Sequence, residues 1–292
     1  MGFVPHPRVP ASIPCMPEAA CSVRHACLVT QAPCFGSAAF FPVFHIWRLP
    51  TLRLQRVLSV PYLVGPVHKL AIVDGPVPIL LVVVRQAAVV HAVDMASGGL
   101  QGYVVPPHYM QSLLGYEAIM SLHGLATFGE SLVASTVWDS RGGSWVLLHT
   151  RTGPWTWCPT WRVVPTRLPR LQCIPLNVCF SEDGDTLAVA TSNPGWALMD
   201  TVSGAVLAEH DLPGTVDVCA HGGDWVVTAG NGPFPLHLNP APVGTIHRLL
   251  SVPGVGMAVF TRHAMRLYCC SDERRMHALS PSRHTWMAAC TG

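Results

Sequence analysis

The sequence predicts an all-β chain made of repeated four-stranded units, and three observations carry that prediction. Short β-rich runs recur along almost the whole chain, separated by Gly, Pro, Asn and Asp. Residues 177–211 hold four of them in succession, NVCFS, TLAVATS, WALMD and AVLAEHD, in about 35 residues, the size of one propeller blade. Several runs end in a polar residue followed by Ser/Thr-Gly, at intervals close to a blade's length. Together these give a single β-propeller of about six four-stranded blades, or seven if the N-terminal segment hides another.

Composition agrees with that class. Of the 292 residues half are hydrophobic and only 12% charged, which excludes a disordered or coiled-coil chain. The 27 prolines and 25 glycines are spread throughout, as many short strands and tight turns require. Length alone suggests about two domains, but a repeat fold closes as one unit. Residues 1–20 are Pro-rich and aperiodic and read as a flexible or extended arm, leaving 21–292 for the propeller.

Net charge is +2 and no dense Lys/Arg tract occurs, so nothing marks an electrostatic nucleic-acid binder. The 11 cysteines are odd in number and unevenly spaced, which favours a reducing compartment and an intracellular, cytoplasmic or nuclear protein. The N-terminus lacks the charged start and apolar run of a secretory signal. His6 stands where a myristoylation motif requires Ser or Thr. The most apolar run, 77–93, carries Arg85, Gln86 and His91, so it reads as two buried strands turning near Arg85-Gln86 and not as a membrane helix.

Taken in order, the first blade begins with ACLVTQ and AAFFPVFHIW and ends with LRLQRVLSV. VHKLAIVD, PILLVVV, AAVVHAVD and LQGYVV make the second, and a longer connection, 106–116, follows. AIMSLHGLATF, SLVASTVWD, SWVLLHT and PWTWCPTW make the third, and the Pro/Arg-rich connection 163–175 leads into 177–211. The remaining runs are VDVCAH, WVVTAGN, PLHLN, TIHRLLSV, GMAVFT, AMRLYCC, MHALS and HTWMAAC.

The recurring turn is Asp94-Met95-Ala96-Ser97-Gly98, His149-Thr150-Arg151-Thr152-Gly153 and Asp200-Thr201-Val202-Ser203-Gly204. A short hydroxyl can bond the turn backbone, and Gly accepts the positive φ of a tight hairpin. Looser copies start at Arg48, where Leu52 replaces Gly, and at Asn239. From Arg48 to Ser280 the copies are 46, 55, 51, 39 and 41 residues apart. With Leu198-Met199-Asp200, Ala92-Val93-Asp94 and Ile46-Trp47-Arg48 in place of the Trp-Asp that ends a third strand, the chain resembles a degenerate WD40-repeat protein over about 21–292. The resemblance implies architecture and no catalytic residues.

Chemistry-bearing motifs are weak by comparison. No G-x-S-x-G elbow occurs, and Gly142-Gly143-Ser144 reads as a hairpin turn. Cys15, Cys21, Cys27 and Cys34 are spaced too widely for structural zinc, and Cys269 and Cys270 face opposite sides of a strand. Gly254-Val255-Gly256 lacks the third glycine and the helix of a dinucleotide fingerprint. Glu182-Asp183-Gly184-Asp185 reads as a solvated hairpin. No cofactor or metal is therefore expected.

The candidate partner-binding residues are Trp155, Trp157, Trp161 and Arg162. Trp155 and Trp157 share one strand face, and aromatics beside an arginine are common interface anchors, although large aromatics also fill the space between propeller sheets. The expected function is a non-enzymatic protein-interaction scaffold. The alternative is a propeller enzyme or small-molecule binder with its site at the central channel. It predicts polar or acidic groups converging at one channel mouth.

Overall fold

Apolar runs broken by turn residues fold into antiparallel hairpins, and four such strands in succession form a blade that buries both faces between its neighbours. The computed structural model describes residues 2–5, 13–14, 18–32, 41–49, 51–84, 89–105, 120–139, 144–163, 175–191, 195–212, 215–221, 223–229, 237–238, 246–252, 256–261, 264–270 and 285–289. Four blades are complete antiparallel meanders with the strands in sequence order. Blade 1 is Ala19–Ser22, Cys27–Gln31, Val43–Arg48 and Arg53–Ser59. Blade 2 is Val67–Val73, Ile79–Val84, Val90–Asp94 and Leu100–Val105. Blade 3 is Met120–Phe128, Leu132–Asp139, Ser144–Gly153 and Thr156–Val163. Blade 4 is Pro175–Phe180, Thr186–Thr191, Gly195–Asp200 and Val206–Asp211.

The last two blades are assembled from distant segments. In blade 5, Thr215–His221 and Asp224–Ala229 pair antiparallel, and Thr285–Ala289 lies parallel to the second of them. In blade 6, Ile246–Val252, Gly256–Thr261 and Ala264–Cys270 form a meander whose outer edge takes Gly2–Pro5, antiparallel through Phe3–Cys270, Val4–Cys269 and Pro5–Tyr268. Ile13–Pro14 also pairs with Ala264–Cys270. His237–Leu238 pairs with Gly2–Pro5, so the PLHLN run joins blade 6 and does not extend blade 5. The first and last parts of the chain thus share one sheet, and Ala19 and Ala20 already belong to blade 1.

The first strands of the six sheets touch one another in a closed cycle, blade 6 meeting blade 1. Apolar clusters fill the gaps between sheets. Phe44, Ile46 and Leu58 of blade 1 pack on Leu70, Leu80 and Val82 of blade 2. Comparable clusters lie between blades 2 and 3, 3 and 4, 4 and 5, and 1 and 6. Second strands are covered on both faces, which is why Ile79–Val84 reads as a continuous apolar run with every residue buried. The 77–93 run is accordingly two strands of blade 2, and among the described residues no helix is long and apolar enough to cross a membrane.

A feature invisible in the sequence recurs near the start of the first strands. In blades 2 to 6 the pairing with the second strand slips by one residue, leaving His68, His123, Leu176, Val216 and His247 out of register. A bulge bends the strand and adds twist. The same bend in five blades sets equivalent backbone positions at one level of the channel. The outer strands of blades 1, 2 and 4 slip likewise at Gln55, Gln101 and Leu207, which interrupts edges that would otherwise be open to pairing.

Candidate functional site

Counting from the bulge, Ala71, Ala126, Cys179, Cys219 and Leu250 occupy equivalent positions of blades 2 to 6. All five line a central channel of about 680 Å³ to which every blade's first strand contributes. Small side chains at four of the five positions keep the channel open at its waist.

One mouth of the channel lies where first strands turn into second strands, and these turns are interlocked. The Asp74 carboxylate of blade 2 accepts hydrogen bonds from the Ser22 hydroxyl (2.5 Å) and the amides of Val23 (3.1 Å) and Arg24 (3.0 Å) in blade 1. The Gly75 carbonyl lies 2.8 Å from His25 Nε2. Between blades 2 and 3, the Asp74 amide donates to Gly129 O (2.9 Å) and the Thr127 hydroxyl to Ile72 O (2.6 Å). Phe128 of blade 3 stands over Gly184 of blade 4, its ring 5.9 Å from that of Phe180. The Gly223 amide of blade 5 donates to Glu182 of blade 4 at 3.1 Å. His221 Nδ1 lies 2.8 Å from the Ser251 hydroxyl, joining blades 5 and 6. Because Asp74 holds a buried hydroxyl and two amides of a neighbouring sheet, Asp74→Ala is expected to lower stability by about 2–3 kcal/mol, read as a shift of the urea midpoint at constant m-value.

At the other end of the first strands, Asn177 of blade 4 donates from Nδ2 to the buried Asp217 carboxylate of blade 5, which also accepts the Val218 amide at 2.8 Å. Among the described residues Asn177 Oδ1 has no hydrogen-bond partner. Lys69 and Glu18 form a half-buried ion pair at 3.7 Å. His68 and His123 meet edge to face beside it, their centroids 6.0 Å apart. Burial, reinforced by Lys69, pushes the His68 imidazole down to about 4.

The outer hairpins carry the turn motif. Asp94 accepts from the Ala96 amide (2.8 Å) and the Ser97 hydroxyl (2.7 Å), and Asp200 accepts from the Ser203 amide (2.7 Å) and hydroxyl (2.6 Å). Those bonds hold the Asp200 carboxyl below its usual value. Gly98 and Gly204 follow at φ +77° and +70°. In fold, this chain is a β-propeller. Blade 1 shows how far the turn tolerates change. Leu52 replaces glycine yet adopts φ +48° and donates to Arg48 O at 2.7 Å, its buried side chain filling the cluster between blades 1 and 6.

Blade 3 departs from the expected pattern. His149 is a buried strand residue paired with Val133 and Pro159, and its strand runs on to Gly153, so the hairpin falls at Pro154-Trp155. A buried imidazole does not collect turn amides as an exposed carboxylate does. Here Arg151 secures the turn instead, its guanidinium donating to the carbonyls of Gly153 and Pro154. The copy starting at Asn239 lies outside the described residues.

Of the four sequence-derived candidates, the structure brings two together. Trp157 is 7% exposed within the cluster between blades 2 and 3, and the half-buried Trp155 packs against the same cluster. The Arg151 guanidinium sits 5.7 Å from the centre of the Trp157 ring. Trp161 and Arg162 pair through their backbones with Leu148 and Leu147 on blade 3's outer strand, and their side chains lie outside the described residues. The loops 106–116 and 164–174 also lie outside them. Cys21 and Cys27 are not bridged in a disulfide, the Cys21 thiol donating to Ser251 O at 3.2 Å, and Cys15 and Cys34 are outside the described residues. Among the described residues no three His, Cys, Asp or Glu side chains are arranged to hold a metal ion. Gly256 opens a strand of an antiparallel hairpin, not a helix. The interlocking of the turns was missed in the sequence, although Asp74, directly after a first strand, and Glu182, two residues after another, were a readable signal.

No family model matches the chain, and no curated protein sequence matches it. Among solved structures, the β-propeller domain of Cps50 (Swd1) from Myceliophteria thermophila is similar at 13% identity and a TM-score of 0.48, over 86% of this propeller and 64% of that chain. The propeller therefore spans less than two thirds of that chain's length.

Proposed function

We propose that this propeller is a non-enzymatic protein-interaction scaffold whose contact surface is the face formed by the turns between first and second strands. The observation that carries the reading is the interlocking of those turns by inter-blade hydrogen bonds. Loops on a rigid scaffold present side chains at little entropic cost on binding. The face displays exposed Glu130, Glu182, Asp183 and Asp185 against Arg24, so its charge fits a basic protein segment. The outer strand of blade 3, with Trp155, Trp161 and Arg162, is the second surface of the scaffold.

Affinity capture from native cells, comparing two variants with the wild type, tests this. In the first, Glu130→Lys, Asp183→Lys and Asp185→Lys reverse the turn face, which is expected to abolish co-purification of the partner while thermal stability stays within a few degrees. In the second, Trp155→Ala with Arg162→Glu is expected to remove contacts of the blade 3 surface only. Retention of every co-purifying protein by both variants rejects the reading.

A further inference from the structure

The central channel differs in chemistry from the charged face onto which it opens. All six first strands are the terminal strands of their sheets, so each turns an edge without a strand partner toward the axis. The residues along those edges are mainly aliphatic or aromatic, among them Leu70, Ile72, Leu125, Phe128 and Val178, and no lysine or arginine is among the described lining residues. Val23 and Phe128 carry the apolar wall out to the mouth. Val23 is 64% exposed there, and Phe128 is held over Gly184, where a β-carbon would collide with its ring. An apolar surface that leads from an exposed rim into a cavity has the form of a binding site, not of a solvated turn.

The geometry points to the channel as the receptor for a short apolar stretch of the partner chain, two or three large side chains flanked by Lys or Arg. This rests on the scaffold reading and names the part of the partner that the turn face takes. Three observations choose the occupant. The volume of about 680 Å³ falls within the ~300–1,000 Å³ of pockets that enclose whole ligands, more than a single side chain fills. The strand edges along the wall offer backbone donors and acceptors, which an extended peptide can pair with and a hydrocarbon cannot. Around the mouth, exposed Glu130, Glu182, Asp183 and Asp185 stand against Arg24, so cationic residues on either side of the apolar stretch meet the rim and an acidic segment is repelled. The apolar side chains leave water in a channel whose walls the inter-blade hydrogen bonds already fix, and little ordering cost opposes their entry.

The test uses the purified full chain and three synthetic peptides with blocked ends, KKLFKK, KKSSKK and EELFEE, titrated by calorimetry. KKLFKK is expected to bind saturably at one site and at least about tenfold more tightly than KKSSKK, and EELFEE is expected not to bind. With benzoylphenylalanine in place of its Phe, KKLFKK is expected to photo-cross-link to the channel-lining segments 125–128 and 178–180. Val23→Lys sets a cation at the mouth, at a position exposed enough to leave folding intact, and is expected to weaken KKLFKK at least about tenfold. Leu54→Lys adds the same charge at an exposed position on the outer strand of blade 1 and is expected to bind as the wild type does. The inference is overturned if KKLFKK does not bind up to millimolar concentration, if KKSSKK binds as tightly, if the cross-links fall only on outer strands, or if Val23→Lys has no effect. Native partners that Val23→Lys retains and the charge-reversed turn face loses overturn the channel inference alone and leave the scaffold reading standing.

Discussion

Replacing Gly124 with alanine is expected to destabilise the propeller by about 3 kcal/mol, at the upper end of overpacking costs. Gly124 is buried on the first strand of blade 3, and a β-carbon there would stand 2.6 Å from Thr136 Oγ1, 2.9 Å from Asn177 Cα and 3.0 Å from Asn177 C. Two of those atoms are backbone of blade 4, so no side-chain rotation relieves the contact. The first strands of blades 3 and 4 would have to move apart, disturbing Asn177 at the inner end of the channel. Gly129, in the same blade, is the control. It sits at φ +57° with nothing within 4 Å of where a β-carbon would stand, so its alanine variant carries only the left-handed backbone cost of about 1 kcal/mol. Urea denaturation of both variants checks the prediction, and equal midpoints would contradict it.

Acid is expected to destabilise the fold well before its carboxylates titrate. His149 is 1% exposed, and burial pushes its imidazole from the ordinary 6.5 down to about 4. The folded state therefore favours the neutral ring, and the unfolded chain binds the proton first as pH falls. Stability from this group is complete above about pH 6.5, is lost progressively between 6.5 and 4, and is gone below that, a total of about 3 kcal/mol. His68, His91, His123 and His210 are displaced in the same direction by burial and add to the slope. Asp94 and Asp200 act lower. Burial by itself would raise the Asp94 carboxyl, but its turn hydrogen bonds outweigh it, so both groups contribute above their unfolded value and lose that contribution only as pH falls through the lowered one. Stability measured at pH 7.5 and pH 5 is expected to differ by less in His149→Leu than in the wild type. An unchanged difference would remove His149 as a cause.

Legibility followed the range of the interactions. The hairpin motif was readable at Asp94 and Asp200 because a carboxylate, a hydroxyl three residues on and a following glycine form a complete local unit. The same pattern misled at His149, since a buried imidazole obeys its packing and the turn moved to Pro154-Trp155. Trp155 and Trp157 were legible as an aromatic pair on one face, but whether that face met solvent or a neighbouring sheet depended on blade 2. The N-terminal residues offered no periodicity, and Gly2–Pro5 became a strand only because Ala264–Cys270 presents an open edge.

The sequence by itself determined the class, the strand sequence of blades 2 to 4 and the glycine-dependent turns at Gly98 and Gly204, because alternation, turn chemistry and chain punctuation act over a few residues. Tertiary structure alone decided the closure of blade 6 by the N-terminal strand, the repeated bulge that lines up Ala71, Ala126, Cys179 and Cys219, the clasp of Asp74 on blade 1, and the central channel. Each of these joins residues far apart in the chain, and their free energy appears only when neighbouring sheets exclude water from the space between them.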